Sequence, residues 1–485
     1  MYTTVFKPLR RHAAQTGAAA LLLLLAASCN PTNIDPVTDP NNPSLESVLV
    51  NASLPQISAL GVGAETSYRL GHANNGAANQ VLGSLGREVI LLASNEPRWY
   101  TEILGTKGSL DDAAFFSVAS YNGFARVIRA AKVFNLSAQN TSVLTAAQKQ
   151  GIAGFSHTYE ALGKLHLLNL MGSNGIRIDV DNIQKPGPFV TPAAALTNIR
   201  QLLNQGAGEL AAAGSAFAFP LSSGFAGFNT PATFLRFNRA LATRVAVYQG
   251  DYTGAKDALA ASFYDPTASL TLGPKVIFTP SAANDAANPY FQQLATSPAG
   301  TNPVGLAIAP RNFVTEAEAG DLRLAKAPAH AGPAVTRGGI TAEYDARVFT
   351  ANTSSLDIIR NEELILLAAE IKANNGDLSG AAADINVIRT RAGGLTPRLA
   401  ASYSGLTSYV DEILKQRRYS LFYEGHRLVD LRRLRPASLT SGTVSAGQTL
   451  AYAMGAAPST VGGSYKIFDR LEKPSAEKQW DIANP

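Results

Sequence analysis

The stretch from Ile358 to Arg433 constrains the fold more than any other. Its opening reads IIRNEELILLAAEIKA, with apolar side chains round nearly the whole helical circumference and Ile358, Ile365, Ala369 and Ala373 along one stripe. Such a helix is buried on most sides. Asn374-Asn375-Gly376-Asp377 then offers a left-handed stop at the glycine and an N-cap at the aspartate, so the chain can reverse within a few residues. A second helix follows, with Ala382, Ile385 and Arg389 at i, i+3 and i+7, until Gly393-Gly394 ends it. Two antiparallel helices joined so tightly form an αα-hairpin of the tetratricopeptide kind.

The same turn chemistry recurs upstream, where Tyr248-Gln249-Gly250-Asp251-Tyr252 divides the helical pattern spanning 231–261. Helical spacing also marks 113–136, 146–171 and 191–213. Nearer the start, 45–60 reads as a first helix and 65–92 as a second. The fold class this predicts is mainly α, with tetratricopeptide-like helix pairs stacked into an α-α superhelix and a loop-rich region carrying short strands. That region is 263–350, rich in Pro, Gly, Asn, Ser and Thr, with Tyr264, Tyr290, Phe291, Phe313 and Tyr344 on loops or short strands. Loops on a rigid scaffold tend to carry specificity, so these aromatics are candidate ligand contacts.

A further candidate lies in REVILLASNEPRWYTEIL, residues 87–104. Asn95-Glu96-Pro97 must interrupt any helix and leaves Arg98, Trp99 and Tyr100 near a loop. An exposed Trp-Tyr pair beside an arginine suits a sugar ring, because CH groups stack on aromatic faces and a guanidinium reaches hydroxyls. The alternative is that Trp99 packs under the loop as core.

Composition bounds the rest. No charge run or long low-complexity linker divides the 485 residues after about residue 45, so 45–485 reads as one large helical body. Residues 1–28 resemble a secretory signal, with a basic start, the run Leu21 to Leu25, and Ala26-Ala27-Ser28 ahead of Cys29, the sole cysteine. Small residues before a single cysteine resemble a lipobox, so Cys29 is the candidate lipidation site, and acyl chains there would hold the protein to a membrane. Residues 29–44, with repeated Pro and Asx, read as an extended tether. Removing Lys7, Arg10 and Arg11 with the signal leaves 38 basic residues of the 41 against 36 acidic ones, a balance that gives no case for nucleic acid.

Three motifs then fall in order on predicted helices. The first places Arg360, Glu363, Leu366, Ala369 and Glu370 as R-x-x-E-x-x-L-x-x-A-E. The second, N-G-D-x-x-x-A-x-x-x-I-N-x-I-R-x-R-A-G, runs from Asn375 to Gly393 through Asn386, Arg389 and Arg391. The third, E-G-x-R-x-x-D-L-x-R, places Glu424, Gly425, Arg427, Asp430, Leu431 and Arg433. Together, across 356–435, they resemble the C-terminal signature of the SusD/RagB family of outer-membrane nutrient-uptake lipoproteins. Gln416 and Ser420 depart from the family's wording, where glutamates are expected. The resemblance implies a lipid-anchored protein of the outer membrane facing the cell exterior. It also implies an oligosaccharide or other oligomeric nutrient as ligand, and a SusC-type TonB-dependent β-barrel transporter as partner. In some members a tryptophan in a comparable N-terminal loop helps build the ligand platform, which points again to Trp99.

Catalytic chemistry is thin. His157 and Glu160 are spaced as half of a zinc site, but no second histidine stands four residues away, and His166 is nine along. Nucleotide-binding and hydrolase motifs are absent, and the adjacent pairs Asp111-Asp112 and Glu362-Glu363 point apart on a helix or turn and read as solvated or salt-bridged. Glu424, Arg427 and Asp430, near one helical face, read as a structural ion-pair network, and His426 as a surface histidine. No cofactor or metal is implied, and a bracing calcium ion has no support in the sequence. The expected function is nutrient binding without catalysis; a surface glycosidase with distant carboxylates, or a structural repeat protein, are the alternatives.

Overall fold

The computed structural model describes residues 45–73, 78–104, 109–182, 184–280, 286–434, 442–444, 463–465 and 468–484. The signal segment, Cys29 and the tether lie outside them. The chain forms two units, Met1–Val50 and Asn51–Pro485. The described part of the first is helix α1 (Leu45–Asn51), which ends at the boundary; everything below concerns the second.

The second unit opens on α2 (Leu54–Ala73), α3 (Ala78–Leu85), β1 (Ile90–Ala93) and the single turn α4 (Arg98–Thr101). This departs from the two helices expected over 45–60 and 65–92. Ser53 turns its amide and hydroxyl onto the Gln56 side chain and so starts a new helix. The run Ile90 to Ala93 is strand, for a reason given below.

Long hairpins follow: α5 (Phe115–Asn140) with α6 (Ala146–Met171), then the short strands β2 (Ile176–Arg177) and β3 (Phe189–Val190), and then α7 (Pro192–Ala211) with α8 (Pro231–Gln249) and α9 (Tyr252–Ala260). Several starts are written in the sequence. Thr145 and Gln148 form a capping box, and Thr191 and Thr230 cap helices whose first residue is proline. Neighbouring helices approach closely where side chains are absent: a Cβ on Gly154 of α6 would meet the Gly206 carbonyl of α7 at 2.8 Å.

After α9 the chain passes through β4 (Lys275–Val276), β5 (Gly305–Ala309), α10 (Arg311–Thr315), β6 (Thr336–Arg337), β7 (Ile340–Thr341), β8 (Tyr344–Asp345) and β9 (Leu356–Asp357). The expectation of loops and short strands here is met. β1, β5 and β8 form one sheet in that order, with Ile90 opposite Ile308 and Leu92 opposite Leu306. Ile90, Leu92, Leu306 and Ile308 pack on one face with Ile340, while Leu91, Ala93, Ala307 and Ala309 enter the main core on the other. A strand covered on both faces needs a continuous apolar run, and such a run carries no period to separate it from a buried helix.

The last part packs α11 (Asn361–Asn374), α12 (Leu378–Arg391), α13 (Leu406–Ser420), α14 (Arg427–Leu434) and α15 (Ser475–Ala483). The two Gly-Asp turns are the same device. Gly250 and Gly376 adopt φ of 72° and 84°, and Asp251 and Asp377 then accept a hydrogen bond from the amides of Gly254 and Gly380, each 2.9 Å long. Asn375 donates to the Tyr252 carbonyl, so the two turns sit side by side. Among the described residues no helix is long and apolar enough to cross a membrane.

Gly376→Ala should cost roughly 1–2 kcal/mol, because only glycine enters the left-handed region without a Cβ clash. Chemical denaturation is expected to give a lower midpoint and an unchanged m-value; an unaltered midpoint would mean that the turn is not under this constraint.

Candidate binding surfaces and the ion-pair lattice

The signature residues converge on α11, whose polar side chains are buried with its apolar ones. Glu363 receives both arms of Arg244 from α8, at 2.7 and 2.6 Å, with both partners buried. Arg360 bridges Glu362 at 2.8 Å and Glu424, and donates to the Ser420 carbonyl. Glu370 is gripped by both arms of Arg433 from α14 and by the Tyr252 hydroxyl at 3.2 Å. Asp430 holds Arg417 at 2.6 Å and Arg433 at 2.9 Å. Arg389 joins Glu318 and Glu412 at 2.8 and 2.7 Å. Asn386 clamps the backbone of Arg398, and Arg391 caps the carbonyls of Pro266 and Ala268.

The network differs from the expected one in two ways. Glu424 and Asp430 reach partners on other elements: Glu424 precedes α14 and turns to Arg360, and Asp430 turns to Arg417 as well as to Arg433. Glu362 and Glu363 point apart and are salt-bridged as expected, and both are buried. His426 is no surface residue; its side chain is 14% exposed, with Nε2 3.7 Å from Glu363.

At the two departures from the family wording, Gln416 donates to Glu412 and the Ser420 hydroxyl accepts from Arg323. Arg323 is charge-balanced by Asp321, at 2.7 Å. The ion pair expected from position 420 is thus supplied from a different loop.

The candidate ligand contacts Arg98, Trp99, Tyr100, Tyr264, Tyr290 and Phe313 separate into two groups. Trp99 is 5% exposed, edge-on to Phe115 at 5.3 Å, because the single turn of α4 aims it at the start of α5. Tyr290 is buried with its hydroxyl 3.4 Å from His72 Nδ1, against Phe349 and Tyr423. Phe313 is buried 4.2 Å from Phe422 and 4.9 Å from Tyr419. These three are core residues, and the expectation that they meet ligand is corrected.

The other three reach solvent in part. Arg98 is held by Glu96 through Nε and Nη2, at 2.8 and 2.7 Å. Tyr100 lies over the Gly338-Gly339 turn between β6 and β7, where a Cβ on Gly338 would meet its ring at 2.8 Å. Tyr264 donates to Asp384 at 2.8 Å and accepts from Lys372 at 3.2 Å, a strut between the loop after α9 and α12.

The half zinc site dissolves in space: His157 pairs with Glu209, whereas Glu160 pairs with Lys164 and Lys132. Among the described residues no group of three or more His, Cys, Asp or Glu could hold a metal ion.

A cavity of about 470 Å³ opens between the end of α6, the start of α7, Tyr248 of α8 and Arg432 of α14. Arg432 donates to the carbonyls of Asn169 and Asp469, and burial lowers its pKa to about 10. Nothing in the sequence marks this cavity, because its walls come from five separate segments of chain.

Helix pairs stacked into a scaffold, a loop-and-strand layer and a C-terminal charge lattice define the class of this protein. Residues 334–480 match the model of the SusD family. No curated protein matches the sequence. Among solved structures, a SusD-like carbohydrate binding protein from Bacteroides vulgatus aligns with TM-score 0.61 at 16% identity, covering 81% of this chain and 85% of that one. A SusD superfamily protein from Bacteroides thetaiotaomicron aligns with TM-score 0.60 at 16% identity, over 87% and 97%. NanU from B. fragilis aligns with TM-score 0.57 at 17% identity, over 83% and 92%. At these identities the likeness is one of fold.

Two outcomes follow from the lattice. Glu363→Gln strands the Arg244 cation in the core and should cost about 3–5 kcal/mol, while Arg244→Met combined with Glu363→Leu should recover most of the loss; equal losses in single and double variants, by denaturant unfolding, would refute the pairing. The second outcome is a pH dependence. Burial lowers His72 to about 3 and His426 to about 4, the latter against the pull of Glu363, and holds His166 well down too. These rings stay neutral in the fold but charge in the unfolded chain, so stability is lost as pH falls below about 6.5. Burial raises Glu88 to about 8, which opposes this in part, since its contribution is lost as pH rises. The net expectation is a fall of about 2–4 kcal/mol between pH 7 and pH 5. His72→Phe should flatten it; a flat profile in the parent would show that the rings are hydrated.

Proposed function

We propose that this protein is a non-catalytic cell-surface receptor, anchored through acyl chains on Cys29 to the outer membrane, that captures an oligosaccharide and passes it to a SusC-type TonB-dependent transporter. The observation that carries this reading is the match of 334–480 to the SusD family on a scaffold that aligns across most of its length with proteins of that superfamily. The lipobox-like segment before Cys29 supports the anchor.

With Trp99 in the core, the ligand surface is assigned to the solvent-reaching side of the same loop. Tyr100 packs closely against Gly338 in the turn between β6 and β7, and Arg98 is fixed by Glu96. A ring immobilised by its support loses little entropy on binding and offers its free edge and face to sugar CH groups. The fixed guanidinium retains N–H groups for hydroxyls.

Titrating residues 30–485 with a panel of oligosaccharides and peptides by calorimetry should find an oligosaccharide that binds. Tyr100→Ala should weaken it by ~1 kcal/mol, about fivefold, and every ligand should be recovered intact. Trp99→Ala should lower the melting temperature instead. If Tyr100→Ala binds like the parent, the surface is misassigned; if no oligosaccharide binds, the receptor reading falls.

A further inference from the structure

At one end of the helical stack three segments of the chain meet: the start of α2, the turn between α5 and α6, and the loop after α7. Thr141 in the turn donates to the Asn51 side chain at 3.2 Å and to the Ala52 carbonyl at 2.5 Å, and the Ser142 amide donates to Asn51 at 3.0 Å. A Cβ on Gly151 of α6 would touch Ala213 and Phe217 of the loop at 3.5 Å. Buried Phe134, Phe155 and Phe219, one each from α5, α6 and that loop, pack ring against ring with centroids 4.9 to 5.9 Å apart. Gly61 of α2 makes room for Phe219, which a Cβ there would meet at 2.5 Å.

This end is almost without charge. In a protein of which 16% is charged, residues 50–64, 133–156 and 211–224 contain a single charged residue, Lys149. Its ammonium is turned onto the Gln139 carbonyl at 2.8 Å. Charge returns further in, at Glu65 on α2 and at the pair His157 and Glu209 on α6 and α7, roughly 15 Å along α2 and α6 from their starts. What the end presents is apolar: Leu54, Leu136 and Val143 are each about half exposed, and Ala146, Ala212 and Ala216 are open to solvent. A surface lacking both signs gives a charged partner nothing to recognise. It also carries no carboxylate, and no ammonium beyond that of Lys149, that contact with hydrocarbon would penalise.

Position names the occupant. Asn51 opens the second unit, so the chain arriving from Cys29 enters at this end. Residues 30–44 can span at most about 55 Å, whatever path they take. An acyl group on Cys29 therefore keeps this end within reach of the bilayer, where a weak apolar attraction acts at high effective concentration. We propose that the charge-free end of the stack rests on the lipid surface, with Leu54, Leu136 and Val143 entering the headgroup boundary. The inference rests on the Cys29 anchor of the receptor reading and adds to it the face that the body turns to the membrane. Apolar insertion carries the contact, so it does not require anionic lipid and is insensitive to salt.

Because Cys29 is the sole cysteine, the thiol of residues 29–485 can be coupled to maleimide-bearing phosphatidylcholine vesicles, or to a soluble maleimide polymer as control. Amide hydrogen exchange should slow by roughly three- to tenfold at 51–56 and 139–148 on vesicles relative to polymer, and about 1 M salt should leave the difference in place. Leu54→Glu combined with Val143→Glu, both at exposed positions, should remove the protection, whereas Leu399→Glu, also exposed but outside these segments, should keep it. Equal exchange on vesicles and polymer, or protection that survives in the double variant, overturns the proposal and leaves the anchor untouched. Protection that grows with protein concentration on the polymer alone assigns the face to a second copy and overturns it too. The anchor is scored separately, by fatty-acid labelling of the protein in cells against Cys29→Ser: absence of label sinks the anchored receptor, whatever the vesicles show.

Discussion

Everything in the C-terminal half depends on carboxylates that helix α11 carries into the interior. Glu362, Glu363 and Glu370 are buried among Leu364, Ile365, Leu366 and Leu367, which are themselves fully covered. Taking a carboxylate out of water costs several kcal/mol unless a matched cation meets it. The cations come from elsewhere: Arg244 from α8, Arg433 from α14, and Arg360 reaching across to Glu424. The helix can therefore sit where it does only when the hairpin stack and α14 are both in place. Such pairs add little stability over an apolar core, but they penalise every arrangement that leaves one charge alone. That selectivity matters in a stack of hairpins, where similar apolar faces could otherwise dock out of order.

The parts of the fold legible in the sequence are those fixed by local chemistry. The limits of α6 coincide with the predicted 146–171, because Thr145 caps it with Gln148 and Gly172 ends it at a positive φ. The Gly-Asp turns are legible for the same reason. What failed is set by partners far along the chain. Ile90 to Ala93 is a strand because Gly305 to Ala309 lies against it, and no window around residue 90 contains that information. The candidate ligand residues fared alike. Trp99, Tyr290 and Phe313 all lie near loops, but Phe115, Tyr423 and Phe422 cover them. A loop position predicts where backbone runs, not where its aromatic side chains point.

Where the signature departs from its family's wording, the structure explains how the change is absorbed. A glutamate at 420 would face Arg323, but Asp321, two residues away on the same short turn, already holds that guanidinium through two bonds. The smaller serine then accepts from Arg323. The arginine is thus neutralised by Asp321 without a carboxylate at position 420.

Strain marks the contact between the N-terminal helices and this lattice. Arg87 and Tyr423 are the described non-glycine residues with positive φ, at 54° and 68°. Tyr423 gives its carbonyl to Asn79, and the neighbouring Gly425 packs its α-carbon against Asn79 and Leu82 of α3. Arg87 reaches the Leu104 carbonyl, at the end of the turn that follows α4. Each conformation costs about 1–3 kcal/mol and persists only when its surroundings over-determine it. Tyr423 thus ties the segment before α14 to α3, and Arg87 ties the end of α3 to the turn that follows α4.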